Sequence, residues 1–143
     1  MGSSIPNLWP TDLAPTVERT PLAILRAQAA QLGTQTKNLL EGQVDTTIET
    51  GIMSARDEIQ SRVFRHVFSI VAPSLGGYRY ELLAVAHKVE PYPLVAHFYG
   101  RPSVKPESRE LASENEFVEY LREVFACAET RRIIGALLAQ IQS

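Results

Sequence analysis

Three histidines, His66, His87 and His97, stand one in each of three consecutive apolar runs, VFRHVFSIVAP, YRYELLAVAHKV and YPLVAHFY. Imidazoles bind metal ions and move protons near neutral pH, so these residues are the first candidates for chemistry. They act together only if they share a face of the sheet, and a one-residue slip in strand pairing turns a side chain to the other face. A two-residue turn at Gly76 and Gly77 places His66 opposite His87. A turn at Glu90 and Pro91 makes His87 and His97 face apart, so three ligands on one face require one particular combination of turns. The plainer expectation is strand histidines that are hydrogen-bonded within the sheet or partly exposed.

Carboxylates that could serve the histidines as bases or ligands are Glu49, Glu58, Glu81 and Glu90, but none stands in a spacing such as H-E-x-x-H. The enzymatic expectation is therefore a small-ligand or metal-dependent pocket lined by His66, His87, Tyr80 and Glu81. Cys127, the only cysteine, lies between apolar helical residues and reads as a small hydrophobe in the core. It excludes an internal disulfide framework and a cysteine-based zinc site, and it suits a reducing cytoplasm. GxGxxG, the P-loop and the G-x-S-x-G elbow are all missing, and SLGGY joins two strands rather than a strand to a helix. No metal or cofactor is expected.

The elements that must position these residues follow from pattern. Residues 1–19 carry Pro6, Pro10 and Pro15 and form an extended arm, in which Trp9, with Ile5, Leu8 and Leu13, either packs back on the domain or docks on a partner. Thr20–Pro21 starts a helix, with Thr capping free amides and Pro at the first helical position. Leu22, Leu25, Ala29, Leu32, Thr36 and Leu39 form its stripe. Gly42 is expected to end that helix in the left-handed region, and Gly33 to mark a close crossing over the sheet. QVDTTIETGIM, from Gln43 to Met53, alternates as a strand with one wet face. A polar connection, 54–61, leads into the three runs around the histidines.

The second and third of these four strands are apolar on both sides, the mark of strands covered on both faces. One helix cannot cover two faces, so either the C-terminal helices lie opposite the first, or one face meets another molecule. Pro93 suits the start of an edge strand. RPSVKPESREL after Gly100 reads as a polar loop, and S-x-x-E from Ser113 to Glu116 as a capping box opening a helix that bends near Cys127. The expected fold is α+β: a helix, a four-stranded antiparallel meander and two C-terminal helical segments, in one domain over residues 20–143.

A chain of 143 residues with 14 Lys and Arg against 16 Asp and Glu has no global field to gather nucleic acid or anionic lipid. Arg62, Arg65, Arg79, Lys88 and Arg101 near tyrosines are compatible with single-stranded nucleic acid, but Glu81 and Glu90 dilute the patch, and nucleic acid is not the expected partner. No apolar run is long enough to span a bilayer, and the N-terminus lacks a secretory pattern. Small helix–sheet–helix proteins include secretion chaperones and immunity proteins, a likeness of architecture that carries no function. The aromatics Tyr78, Tyr80, Tyr92 and Tyr99, with Trp9, point instead to association. The reading is a non-enzymatic, cytoplasmic adaptor that binds a protein partner and forms a homodimer.

Overall fold

The computed structural model of the chain describes residues 4–51, 61–100 and 107–143. Helix α1 (Pro21–Gln35) precedes strands β1 (Glu41–Gly51), β2 (Ser61–Ala72), β3 (Tyr78–His87), β4 (Leu94–Phe98) and β5 (Glu107–Leu111). Helices α2 (Glu114–Ala126) and α3 (Ala128–Ile141) close the chain. All strands pair antiparallel with their sequence neighbours in one sheet, β1-β2-β3-β4-β5. The expected α+β layering is present with five strands instead of four. The extra one, β5, is the end of the stretch expected as a polar loop: ESREL is a short edge strand, and an edge tolerates the charges that disguised it. With β5 beside it, β4 is an inner strand, and Pro93 lies in the turn before it rather than on an edge. The expectations for the 54–61 connection up to residue 60, for Glu58, for Arg101 and the loop through 106, and for the first three residues lie outside the described residues.

Local signals decide the helix starts. The Thr20 hydroxyl accepts the Ala23 N–H at 3.2 Å, and the Ser113 hydroxyl accepts the Glu116 N–H at 3.2 Å. Glu116 reaches back one residue further than in a standard capping box, to the Ala112 N–H. α1 ends at Gln35, earlier than the glycine at 42 suggests. There the Thr36 hydroxyl donates to the Leu32 carbonyl and accepts the Leu40 N–H, and Lys37 and Asn38 take the left-handed conformation.

Gly42 does another job. A Cβ placed on it would lie 2.4 Å from the Ala29 Cα, so α1 lies directly on β1 and only a bare backbone fits between them. The close crossing is here and not at Gly33, whose added Cβ would make an ordinary 3.5 Å contact with Asn38.

All three helices pack on the same face. Leu25 of α1 and Phe117, Leu121 and Leu137 of the C-terminal helices share one core with Phe68, Ile70, Leu83 and Val85 of the sheet. α1 covers the β1 side, while α2 approaches β5, where the Arg109 guanidinium stacks over the Tyr120 ring. Among the described residues, no element lies over the opposite face, which holds Arg65, Val67, Val71, Ala84, Ala86, Val95 and His97. The first of the two arrangements expected for the two-sided apolar strands, C-terminal helices opposite the first helix, is therefore not the one adopted.

Substituting Gly42→Ala should destabilise the fold by about 2 kcal/mol through overpacking between backbones. Gly135→Ala, mid-helix in α3 with open space around its Cβ, should stabilise it by about 0.5–1 kcal/mol. Urea unfolding midpoints of the two variants check the opposite signs.

Candidate functional site

The arm is the first site to build. Its base is fixed by a cluster of hydrogen bonds: Glu114, the first residue of α2, accepts the Arg19 backbone N–H at 2.6 Å and the Arg19 guanidinium at 3.1 Å. The Tyr92 hydroxyl donates to the Arg19 carbonyl at 2.8 Å. Both peptide groups of Arg19 are thereby held, and the starts of α1 and α2 are tied together. The Arg19 N–H, then its guanidinium, hold the Glu114 carboxyl below its usual range. Burial, with the nearby Glu114 and Glu18 carboxylates, pushes the Tyr92 phenol up to about 12.

Beyond this clamp the arm is bare. Ile5, Leu8, Trp9, Leu13 and Val17 are each at least 69% exposed, with Trp9 at 72%. Trp9 does not pack back on its own domain. Five large apolar side chains in a row with no support from their own chain are unusual for a soluble fold.

The histidines form the second constellation. The β2–β3 register shifts between Phe68 and Ser69, so His66 pairs with Val85 and His87 with Phe64. His66 and His87 are diagonal neighbours on the helix side rather than directly opposite, and a simple two-residue turn does not occur. Their Nε2 atoms are 2.9 Å apart, with 2% and 7% of the residues exposed. His87 Nδ1 lies 2.6 Å from the Lys88 carbonyl, and His66 Nδ1 lies 2.8 Å from the Thr46 hydroxyl.

One acceptor orders the whole chain of bonds. A carbonyl only accepts, so His87 Nδ1 carries the proton and its neutral Nε2 accepts from the Nε2–H of His66. His66 Nδ1 then accepts from the Thr46 hydroxyl. Phe64 stacks on the His87 ring at 5.4 Å. Burial, then the neighbouring His87 and Arg26 of α1, lower the His66 pKa to about 4. Burial lowers that of His87 against the pull of backbone bonds at Lys88 and Glu90. The pair is a neutral polar bolt through β1, β2 and β3 with every ring nitrogen engaged.

His97 pairs with Ala84 and faces away from His87, as a turn at Glu90 and Pro91 implies; its Nδ1 lies 2.9 Å from the Ser108 hydroxyl. Glu81 pairs with Ser69 on the open face and is exposed, so it does not converge with the histidine pair. Tyr80 donates to the Tyr99 carbonyl instead of entering the pair. Among the described residues, no group of three His, Cys, Asp or Glu side chains could hold a metal ion. Of the tyrosines, Tyr92 is buried in the clamp, Tyr99 accepts from Arg65 at 2.9 Å, and Tyr78 is half exposed. Cys127 is half-buried at the junction of α2 and α3, its thiol 3.3 Å from the Thr130 hydroxyl. Arg79 is committed to Asp45 at 2.6 Å and to Gln43 at 2.8 Å. The Arg19–Glu114–Tyr92 clamp escaped the sequence reading because it joins residues 95 apart; only Glu114 following the Ser113 cap hints at a free carboxylate at a helix start.

Comparison with protein families, curated proteins and solved structures finds no match. Among the described residues, no helix is long and apolar enough to cross a membrane.

The histidine pair predicts acid sensitivity. In the unfolded chain the imidazoles take up protons near pH 6.5, whereas folded His66 does so only near 4, so the unfolded state binds more protons between these values. Stability is full above pH 6.5 and falls towards pH 4, by up to about 1.4 kcal/mol per pH unit for each such histidine. His66→Gln should make the slope of unfolding free energy against pH shallower across this window, measured by urea titrations at several pH values. An unchanged slope contradicts the assignment.

Proposed function

We propose that the protein is a non-enzymatic interaction module, an adaptor or accessory protein whose arm makes the primary contact with a protein partner. The observation that carries this reading is the arm itself: a segment without helix or strand, with exposed Ile5, Leu8, Trp9, Leu13 and Val17, clamped at its root to a rigid domain. Trp and Leu on a stretch made stiff by Pro6, Pro10 and Pro15 bind at a low entropic cost, because the residues before proline are already held extended. The unroofed sheet face, with Val67, Val71 and Val95 half-buried amid Arg65, His97 and Tyr99, offers a second contact of moderate polarity.

The enzymatic alternative has less support, since the histidine pair is closed and Glu81 lies on the other face. Binding of single-stranded nucleic acid has less as well: Arg79 and Arg65 spend their guanidinium groups on Asp45 and Tyr99. A cytoplasmic setting belongs to the proposal through the unpaired thiol of Cys127.

Affinity capture with the full chain, with a chain lacking residues 1–18, and with the Trp9→Ala/Leu13→Ala double variant tests the reading. Truncation should abolish capture, and the double variant should weaken it at least about 30-fold, the size of a hot-spot loss. Both should leave the unfolding free energy within about 0.5 kcal/mol of the parent, since the altered side chains are exposed. Capture undiminished by truncation overturns the arm's role.

A further inference from the structure

Strand β1 has a neighbour on one side only, so among the described residues its outer row of backbone N–H and C=O groups meets no other strand. Such an edge is a template for a further strand, and natural sheets blunt it by short length, Lys, Pro or a bulge. The far edge is blunted in this way: β5 has five residues, among them Glu107, Arg109 and Glu110. β1 is not. It has eleven residues, no Lys, Arg or Pro, and an unbroken register against β2 from Glu41 to Gly51. Its charges are Glu41, Asp45 and Glu49, all on the open face, and Asp45 is met by Arg79 at 2.6 Å.

The two ends of β1 are covered unequally. Gly42 lies directly under Ala29 of α1, whereas every residue from Asp45 to Thr50 is exposed. Ile48 stands on the helix side of the sheet, with Thr46, yet it is 58% exposed. A β-branched apolar side chain on the covered side of a sheet is here left without cover from its own copy.

The sequence of β1 complements itself. Laid antiparallel on a second β1 about Thr46, all eleven residues pair, and Val44 of each copy faces Ile48 of the other on the helix side. On the open face Gln43 faces Glu49 and Thr47 faces Asp45, a hydrogen-bond donor opposite each of these carboxylates. Shifting the pairing by two residues in one direction sets Asp45 against Asp45 and Glu41 against Glu49. Shifting it in the other sets Asp45 against Glu49. Like charges directly opposite are destabilising, so the charges select the register centred on Thr46. In that register Thr50 comes opposite Gly42, and α1 of each copy rises beside the bare half of the other, next to Ile48.

We infer that β1 pairs antiparallel with β1 of a second copy of this chain, centred on Thr46, so that two five-stranded sheets become one continuous sheet. The interface is isologous, the same edge serving both copies. It does not involve the arm, which stays free for a different contact.

Cysteine pairing reads the register. Gln43→Cys and Glu49→Cys chains, each also carrying Cys127→Ser, are oxidised mildly, alone and as an equimolar mixture. Opposed residues of antiparallel strands lie about 4.5–5.5 Å apart, within disulfide reach. Position 43 of one copy and position 43 of the other are six residues apart along the strands, about 20 Å, and so are the two positions 49. The mixture should therefore give a cross-linked heterodimer and neither chain alone should. By light scattering the parent and the chain lacking residues 1–18 should both be dimers, and Ile48→Lys, altering an exposed side chain, should be monomeric. A parent that is monomeric at every concentration overturns the pairing and leaves the arm's role untouched. A dimer lost on truncation also overturns it, by assigning association to the arm. A dimer that survives Ile48→Lys and gives no cross-link between positions 43 and 49 overturns it too, by placing the interface elsewhere.

Discussion

The close approach of α1 to β1 at Gly42 is the constraint from which the rest of the molecule follows. Because a bare backbone meets Ala29 there, the first helix lies over one side of the sheet. The meander then carries the chain strand by strand to the far edge, and α2 returns over β5 on the same face. Two helical layers that enter from opposite edges leave a trough between them, floored by the middle strands. The same topology leaves the reverse face without a roof among the described residues.

The ends of the two layers are joined by the clamp of Arg19, Glu114 and Tyr92, which is also the root of the arm. Rigidity and display are thus combined at one point. Hydrogen bonds to both sides of the Arg19 residue tie the arm to the domain, and residues 4–18 are offered to solvent. The histidine pair plays a different part. It lies inside the sheet, its nitrogens consumed by Thr46, by each other and by the Lys88 carbonyl, and it stiffens three strands as neutral imidazoles do when burial outweighs protonation.

Much of this architecture is legible in the sequence where the cause is local. Thr20–Pro21 and Ser113 announce helix starts because capping involves neighbours in the chain, and the glycines at 76 and 77 mark a turn that does use positive φ. Legibility ends where the cause is distant. Gly42 resembles a helix terminator, and only the packed helix reveals why it is glycine. ESREL resembles a loop because an edge strand with charges lacks the apolar alternation of an inner one. The facing of His66 and His87 depends on the irregularity at Phe68 and Ser69, which no turn motif encodes. Trp9 is visible in the sequence as an oddity, but its exposure depends on a clamp between residues far apart in the chain.

The central claim is that the arm's apolar side chains belong to a surface outside their own copy. Because Trp9 is the only tryptophan, quenching of its fluorescence by acrylamide in the dilute full-length chain measures this without a label. The structure predicts quenching close to that of a free tryptophan in a short peptide. Quenching as weak as that of a buried core indole would contradict the account, since the arm would then already be spent on its own domain.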